Sequence, residues 1–487
     1  MSKENHLSDA DKTLRGLRHI GSARIFTQLV TWGLTIVTIH LLQPRDYGLI
    51  AIAGIFTSFA QLLLDGGLAE VLISQRDLSD RVQGAAASAV FLISLGFALI
   101  VAATAPVASA FFRSPQLTDI LVVSAFYLPL VALDVVPMAL LSKRMDFRRI
   151  ALTQMVASVV QGLSTLGFAF TGRAYWALII GNFVGTGLRV SLLWLSLDRK
   201  PRPNIQLSAL RPLLRNSSQM VGQRLAYFSI ENFDLFILSR FGGPDILGPY
   251  AVARTLSHSA LNQIAGIVNQ VSVPAFAAKK ETHAQLRGLV SMISLASAVL
   301  FPLFWIMGIT SQLALPLVFG ARWSRLVVPF VAFAVILPLR GVHTLLGSSV
   351  VGTGRMSTTF KNTVSWAVIS MPFMLLGVTK GANGVALSWI AAFPVVFYIA
   401  LRRIAKSFSA PASMLLRPMA TPAACAAASA LATQLVLWGG TPLSLPPAAL
   451  VVIQCCVGAL SYWILYKRFD RAHYSQTLNI VRRLIRV

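Results

Sequence analysis

The chain has 487 residues, of which 55% are hydrophobic and only 12% are charged, and its formal net charge at pH 7 is +25. A soluble domain carries about 25% charged residues, so this composition excludes a soluble globular protein and predicts an all-α integral membrane protein. The positive charge does not indicate nucleic-acid binding, because the basic residues lie in short loops between apolar runs, as the positive-inside rule requires.

Apolar stretches long enough to cross a bilayer, which takes about 20 residues, recur along the whole chain. We predict fourteen transmembrane helices at 22–42, 48–70, 84–106, 117–141, 150–171, 175–197, 215–240, 247–274, 288–310, 326–350, 361–379, 382–401, 413–437 and 446–466. With the N-terminus in the cytoplasm, cytoplasmic segments hold 30 lysines and arginines and outer segments hold 7. Since this bias alternates loop by loop, it predicts that both termini are cytoplasmic.

The longest connection between these helices, 198–214, contains three prolines and divides the chain after six helices. This division predicts two six-helix lobes followed by two further helices. The predicted parts are a cytoplasmic N-terminal segment, the N-lobe, a cytoplasmic linker, the C-lobe, the last two helices and a basic cytoplasmic tail, at 1–21, 22–197, 198–214, 215–401, 402–466 and 467–487.

A short internal repeat supports the two lobes. At an offset of 200 residues, Gly48, Ala51, Ala53 and Gly66 meet Gly248, Ala251, Ala253 and Gly266. The matched segments fall at the start of the second and the eighth predicted helix, which is the same place in each half. The repeat is therefore parallel, with a pseudo-two-fold axis along the membrane normal, and it predicts a substrate site between the lobes.

The two predicted helices between 215 and 278 carry charge where a bilayer disfavours it. The first holds Arg224, Glu231 and Asp234, and the second holds a polar row of Arg254, His258, Asn262, Gln263, Asn269 and Gln270. An ionised group at the bilayer centre costs about 2.5–3.5 kcal/mol on insertion scales. The spacings of seven and three residues place the first three on one helix face. We interpret the pair of helices as a wall of a polar cavity inside a transporter.

Several segments in this order resemble the polysaccharide-transporter branch of the multidrug/oligosaccharidyl-lipid/polysaccharide exporter superfamily. They are Leu42-Gln43-Pro44-Arg45-Asp46-Tyr47-Gly48 with Asp65-Gly66-Gly67, Tyr175-Trp176-Ala177-Leu178, Glu231-Asn232-Phe233-Asp234, Leu247-Gly248-Pro249-Tyr250-Ala251, Val273-Pro274, Phe319-Gly320-Ala321-Arg322-Trp323 and Gly352-Thr353-Gly354-Arg355. The resemblance covers most of the first twelve predicted helices and implies two lobes around a central cavity.

The resemblance also implies a function. It implies a flippase that moves undecaprenyl-diphosphate-linked oligosaccharide from the inner to the outer leaflet of the bacterial inner membrane by alternating access, for lipopolysaccharide or exopolysaccharide synthesis. The expected partners are this lipid-linked substrate, membrane lipids and other membrane proteins of polysaccharide assembly, with no nucleic acid and no cofactor.

A diphosphate favours arginines, which can bind it through two parallel hydrogen bonds, and sugars favour amides. The candidate substrate-binding residues are Arg24, Arg224, Arg254, Arg340, Asn232 and Asn262. Each of these residues also has an alternative, purely structural role. Arg24 can extend to lipid headgroups, Arg224 can pair with a carboxylate of its own helix, Arg254 and Arg340 can pair with a neighbouring helix, and the amides can bond between helices.

A buried carboxyl balanced between desolvation and a nearby arginine can bind and release a proton. The candidates for coupling to H⁺ or Na⁺ are Asp65, Glu231 and Asp234, whose alternative role is to compensate the arginines. Arg189 is interpreted as structural, and Asp134 receives no role. The Gly181-xxx-Gly185 pattern predicts close helix packing, and Trp323 is assigned to the outer aromatic belt.

Two other functions remain as alternatives. A small-molecule antiporter of the same superfamily, such as an exporter of cationic drugs, would favour an acidic cavity over the arginines found here. A membrane enzyme of polysaccharide assembly would need a large outer loop or a soluble nucleotide-sugar domain, and neither is present in the sequence. There is no Walker A motif, so the chain is predicted to be a transporter that does not itself hydrolyse ATP.

Overall fold

The structure is a computed structural model that describes Thr27 and residues 30–65, 80–144, 146–172, 174–201, 204, 211–277, 282–352, 356–440 and 445–470. All the regular elements within these residues are helices. They divide into two compact units, Met1–Gly248 and Pro249–Arg486.

The N-terminal unit contains seven complete helices and the first part of an eighth. They are α1 (Val30–Leu41), α2 (Pro44–Asp65), α3 (Asp80–Phe111), α4 (Leu117–Ala125), α5 (Tyr127–Lys143), α6 (Phe147–Phe170), α7 (Tyr175–Leu195) and α8 (Arg211–Ala277). Small residues of α3, among them Ala85, Ala86 and Ala89, pack with α5 and α7 in a buried apolar cluster.

The C-terminal unit begins within α8 and contains six further helices. They are α9 (Thr282–Phe319), α10 (Val327–Gly352), α11 (Met356–Gly377), α12 (Gly381–Ser407), α13 (Ala412–Gly440) and α14 (Pro447–Phe469). Short 3₁₀ turns lie at Ala321–Leu326 and Val378–Lys380. Its core is aromatic, and Phe304, Phe333, Trp389 and Phe393 are each completely buried.

The predicted turn between the helices at 215–240 and 247–274 is reduced to a single residue. Helical geometry runs from Arg211 to Ala277 except at Gly243, where φ is 71° and ψ is 176°. Only glycine adopts this positive φ without steric cost, and the following Pro244 disfavours a helical conformation at the residue before it. The two predicted helices therefore meet at a glycine–proline kink.

The predicted helix 117–141 corresponds to one apolar span, Leu117–Lys143, in which α4 and α5 meet at Phe126. Two other predictions need correction. The predicted helix 288–310 extends to Phe319, because Pro316 lies within α9 without ending it. Trp323, assigned to the outer aromatic belt, is completely buried within the 3₁₀ turn at Ala321–Leu326.

Ten helical segments among the described residues are long and apolar enough to cross a membrane, by length and composition. The difference between these ten segments and the fourteen predicted transmembrane helices arises in three places. α1 is described only over Val30–Leu41, α11 and α12 fall within one apolar segment, Thr358–Ser407, and α8 is not among the ten. The charged residues of α8, among them Glu231, Asp234 and Arg254, lower its mean hydropathy. The count of fourteen remains a prediction.

The predicted close packing at Gly181 and Gly185 is confirmed. A Cβ atom on Gly181 would collide with Oγ1 of Thr165, and one on Gly185 would lie 2.5 Å from Cβ of Gln161. α6 and α7 therefore approach each other closely through these glycines, and a hydrogen bond of 2.6 Å from Nε2 of Gln161 to Oδ1 of Asn182 joins them.

Gly48 and Gly248, which the repeat aligns, contact each other's segment within the N-terminal unit. A Cβ atom on Gly48 would collide with the backbone oxygen of Pro244, and one on Gly248 with the backbone oxygen of Pro44. The two prolines are themselves separated by the repeat offset, so the contact is reciprocal. Arg45 pairs with Asp245 beside it, with 3.6 Å between Nη1 and Oδ2.

Candidate functional site

The first part of α8 places two of the predicted coupling carboxylates one helical turn apart. Asp234 is completely buried, and its Oδ1 accepts a 2.8 Å hydrogen bond from the backbone N–H of Leu235. Glu231 is half-buried. Because the helix is continuous here, the spacing of three residues puts both carboxylates on one side of it.

Three of the predicted site side chains lie outside the described residues. Arg24 precedes the described part of the chain, and Asp65 and Arg224 are described only as backbone positions of α2 and α8. The predicted pairing of Arg224 with Glu231 or Asp234 therefore stays a prediction.

The two predicted sugar-binding amides differ in their surroundings. Nδ2 of Asn232 donates a 3.0 Å hydrogen bond to the backbone oxygen of Phe228, four residues earlier in the same helix. Asn262, in the second part of α8, is exposed. In this conformation Asn232 thus stabilises its own helix, whereas Asn262 presents its amide at the protein surface.

The C-terminal unit surrounds Arg340 with aromatic rings. This arginine of α10 is only 8% exposed. Its Cζ lies 5.4 Å from the ring centre of Trp366, 5.2 Å from that of Trp389 and 5.9 Å from that of Phe393. A cation over an aromatic face gains about 0.5–1 kcal/mol when exposed and about 2 kcal/mol or more when desolvated. We call these four residues the arginine–aromatic cluster.

His258 of α8 extends this cluster. Its Nε2 lies 3.4 Å from Nη1 of Arg340, and it accepts a hydrogen bond from the guanidinium when that ring nitrogen carries no proton. Phe333 packs edge-on against His258 with 5.4 Å between ring centres. Arg254 is half-buried and precedes His258 by four residues, so both lie on one side of α8. Two arginines therefore concentrate positive charge in this part of the C-terminal unit, and His258 lies beside them as a hydrogen-bond partner of Arg340.

The packing behind Trp389 fixes the orientation of the cluster. Nε1 of Trp389 donates a 3.2 Å hydrogen bond to the hydroxyl of the completely buried Tyr250. His343, one turn after Arg340 on α10, lies edge-on to Trp366 and Phe393 at 5.9 Å from each ring centre. The rings around Arg340 are thus held by contacts from α8, α10, α11 and α12.

The charge balance of this unit is strongly basic. From Pro249 to the end of the sequence the only carboxylates are Glu281 and Asp470. Glu281 lies between α8 and α9, and Asp470 follows the end of α14. Arginine and histidine beside aromatic faces can bind an anion such as a phosphate, and indole rings offer flat surfaces to sugars.

An ion pair in the N-terminal unit joins two residues that sequence reasoning left apart. Nη2 of Arg189 on α7 lies 2.7 Å from Oδ2 of Asp134 on α5, and the two side chains are 29% and 15% exposed. The hydroxyls of Tyr127 and Thr186 lie 2.9 Å apart between the same helices. The structural interpretation of Arg189 is thereby supported, and Asp134 gains a partner.

Neither this pair nor the aromatic cluster could be assembled from sequence spacing. Trp389 and Phe393 are four residues apart and so share a helix face, but Trp366 reaches them from another helix. Asp134 and Arg189 are two predicted helices apart, and no periodicity brings them together.

The comparison with protein families identifies one match. A family described as "Polysaccharide biosynthesis protein" matches residues 38–328, which is more than half of the chain. The matched region contains all the described helices from the end of α1 to the start of α10.

Two curated relatives are similar over much of the chain. The lipopolysaccharide biosynthesis protein WzxC of Escherichia coli (strain K12) is 23% identical over 401 residues, which is 79% of each chain. The succinoglycan biosynthesis transport protein ExoT of Rhizobium meliloti (strain 1021) is 23% identical over 312 residues, which is 63% of each chain.

Two solved structures share the fold. The lipid II flippase MurJ in an inward closed conformation superposes with a TM-score of 0.71 and 14% identity, over 93% of this chain and 98% of that one. A multidrug resistance transporter of the MATE family, in an inward-facing conformation, gives a TM-score of 0.60 and 15% identity, over 78% and 95%. At these identities the likeness establishes the fold alone.

Proposed function

Because the chain belongs to the polysaccharide biosynthesis protein family, we propose that it is a flippase for undecaprenyl-diphosphate-linked oligosaccharide in the bacterial inner membrane. The relatives support this proposal, since one is named for lipopolysaccharide biosynthesis and one for succinoglycan transport. The fold is also that of a lipid II flippase. The substrate would be moved from the inner to the outer leaflet for assembly of a surface polysaccharide.

The observation that carries the proposal is the basic, aromatic character of the C-terminal unit. Arg340, buried at 8% exposure, lies beside His258 and among Trp366, Trp389 and Phe393. Guanidinium groups recognise phosphates through directed, charge-assisted hydrogen bonds. We therefore assign the diphosphate to Arg254 and Arg340, with Arg24 and Arg224 as further candidates, and the sugars to Asn232 and Asn262.

The proposed architecture has fourteen transmembrane helices. Twelve of them form two six-helix lobes related by a parallel repeat, two more follow at the C-terminus, and both termini are cytoplasmic. The distribution of lysine and arginine and the internal repeat at an offset of 200 residues support it. Substrate would reach a site between the lobes from either face in turn, through alternating access.

Coupling to H⁺ or Na⁺ would require a carboxylate that changes its state during the cycle. Asp234, completely buried on α8, is the first candidate, with Glu231 one turn away and Asp65 at the end of α2. A carboxyl in this setting can exchange a proton as its surroundings change.

The antiporter alternative rests on the likeness to a multidrug transporter fold. An exporter of cations would need carboxylates near its substrate. From Pro249 onward Glu281 and Asp470 are the only acidic residues in the sequence. This charge balance favours the flippase.

Genetic complementation tests the proposal. The chain is expressed in a strain that lacks its polysaccharide flippase but retains the cognate sugar pathway, and surface polysaccharide is measured at matched membrane levels. We expect rescue by the wild type and by Arg402→Gln, which changes an exposed arginine of α12, and loss of rescue by Arg340→Gln. Absence of rescue by a correctly inserted wild-type chain would contradict the proposal.

A further inference from the structure

Two helices of the structure contain a proline whose lost hydrogen bond is replaced from a neighbouring helix. Proline has no N–H, so the backbone oxygen four residues before it loses its helical donor. Pro302 in α9 leaves the oxygen of Ala298 open, and Pro137 in α5 leaves that of Leu133 open.

An aromatic side chain donates to each of these two oxygens. The hydroxyl of Tyr462 on α14 lies 2.8 Å from the oxygen of Ala298. Nε1 of Trp194 on α7 lies 2.8 Å from the oxygen of Leu133. Within a bilayer no water replaces a missing backbone donor, so neighbouring helices must supply it. The same geometry thus occurs once in each unit.

We propose that Tyr462 is a positioning residue that supplies the hydrogen bond Pro302 removes from α9, and that α14 is thereby required for the stable packing of the C-terminal unit. Ala298 is 5% exposed, so its oxygen has little access to lipid headgroups or water. A donor fixed on another helix ties α9 to α14 at this position. Trp194 does the same for α5 in the N-terminal unit.

The surroundings of Tyr462 keep its hydroxyl in place. Its ring stacks on that of Tyr466, with 5.5 Å between centres and 11° between planes. Two hydrogen bonds join α13 and α14. Oγ of Ser429 donates to the oxygen of Gly458 at 2.6 Å, and Oγ of Ser461 donates to Oγ of Ser429 at 3.1 Å. Gln434 of α13 lies within 3.4 Å of Gln312 of α9. The last two helices therefore form a fixed support against α9.

A double-mutant cycle between Tyr462 and Pro302 tests this role. Tyr462→Phe removes only the hydroxyl, and Pro302→Ala restores an N–H that can satisfy Ala298 within α9. We expect Tyr462→Phe to lower the melting temperature of the purified protein by about 2–4 °C, the shift that the loss of one hydrogen bond produces in a unit of this size. In the Pro302→Ala background the same change should have no effect.

Control variants separate this coupling from a general effect. Tyr398→Phe, at an exposed position of α12, should leave the melting temperature unchanged. Pro316→Ala, at the other proline within α9, should add to Tyr462→Phe without coupling. Trp194→Phe with Pro137→Ala provides an independent cycle in the other unit. Additive effects in both cycles, or no effect of Tyr462→Phe, would overturn the proposal.

Transport gives a second readout, which rests on the proposed function. Tyr462→Phe should lower the maximal rate of transport in vesicles and leave the half-saturating substrate concentration unchanged, because Tyr462 positions α9 and is not one of the proposed binding groups. Pro302→Ala/Tyr462→Phe should transport at the rate of Pro302→Ala alone. If the wild type transports no lipid-linked sugar while the melting temperatures still show coupling, the proposed function fails and the inference stands. A higher half-saturating concentration with an unchanged maximal rate would contradict the positioning role.

Discussion

At the scale of single residues, the two arginines Arg189 and Arg340 have different kinds of contact. Arg189 in the N-terminal unit contacts a carboxylate, Asp134, at 2.7 Å. Arg340 in the C-terminal unit contacts aromatic faces and His258. An ion pair between helices fixes their packing, whereas a guanidinium is also the group that recognises a phosphate through charge-assisted hydrogen bonds. This contrast separates a structural arginine from a candidate binding arginine.

Arg340→Lys tests the binding role at this scale. Lysine keeps the positive charge but loses the planar guanidinium that binds a diphosphate through two parallel hydrogen bonds. We expect a roughly tenfold higher half-saturating substrate concentration, which corresponds to about 1.4 kcal/mol, with a normal protein level. Substrate titrations of transport in vesicles measure it. An unchanged half-saturating concentration would exclude Arg340 from substrate binding.

The ion pair of Asp134 and Arg189 leads to a different expectation. Removal of either partner alone leaves a partly buried charge uncompensated, which typically costs about 3–5 kcal/mol for a buried pair. Replacement of both by leucine should recover most of that loss. Melting temperatures of Asp134→Leu, Arg189→Leu and the double variant measure the effect.

A more exposed ion pair is the control for this cycle. Arg144 and Asp198 lie 2.6 Å apart, with side chains 46% and 68% exposed, and exposed pairs contribute only about 0–1 kcal/mol. Arg144→Leu should therefore lower the melting temperature much less than Arg189→Leu. If the double leucine variant at 134 and 189 is as unstable as the sum of its single variants, the pair is not the unit that stabilises these helices.

At the scale of helices, glycine determines where backbones can meet. Gly48 on α2 and Gly248 on α8 each face the backbone oxygen of a proline from the other segment. A backbone atom cannot move aside as a flexible side chain can. Gly243 has another role, because its positive φ makes the kink that lets one continuous helical stretch change direction.

Gly48→Ala should therefore be strongly destabilising, although alanine favours a helix over glycine by about 1 kcal/mol. The added methyl group would collide with Pro244, so we expect a lower level of folded protein in the membrane. Gly54→Ala is the matched control on the same helix, since a Cβ atom there has no neighbour within 4 Å. Its level should equal or exceed that of the wild type. Normal folding of Gly48→Ala would disprove the close approach.

The helices themselves were largely predictable from the sequence, because apolar length is a local property. The predicted 175–197 corresponds to Tyr175–Leu195, and the predicted 326–350 to Val327–Gly352. The errors have local causes too. Pro316 does not end α9, since a proline in a membrane helix can be tolerated when neighbours satisfy the freed backbone groups.

The site was less predictable than the helices. The pattern of charges identified Arg340, but the rings of Trp366, Trp389 and Phe393 that surround it come from two other helices. Similarly, Tyr462 and Trp194 carry no sequence signal for their contacts with α9 and α5. These contacts depend on tertiary packing, which no spacing within one helix encodes.

At the scale of the whole molecule, the family match and the charge balance support the proposed function, and the likeness to solved structures establishes the fold. The family match covers residues 38–328, the fold resembles that of the lipid II flippase MurJ at a TM-score of 0.71, and the C-terminal unit is strongly basic. The proposed anionic lipid-linked sugar agrees with the family match and with the basic C-terminal unit. A cationic drug agrees with neither.

The most direct test is transbilayer movement of the substrate itself. The purified protein is reconstituted in vesicles with fluorescent undecaprenyl-diphosphate-linked oligosaccharide in the inner leaflet, and a membrane-impermeant quencher added outside reports its arrival. We predict faster quenching with the wild type than with protein-free vesicles or with Arg340→Gln. Quenching by the wild type at the rate of protein-free vesicles would contradict the account, and movement of a cationic drug in the same vesicles would identify an antiporter.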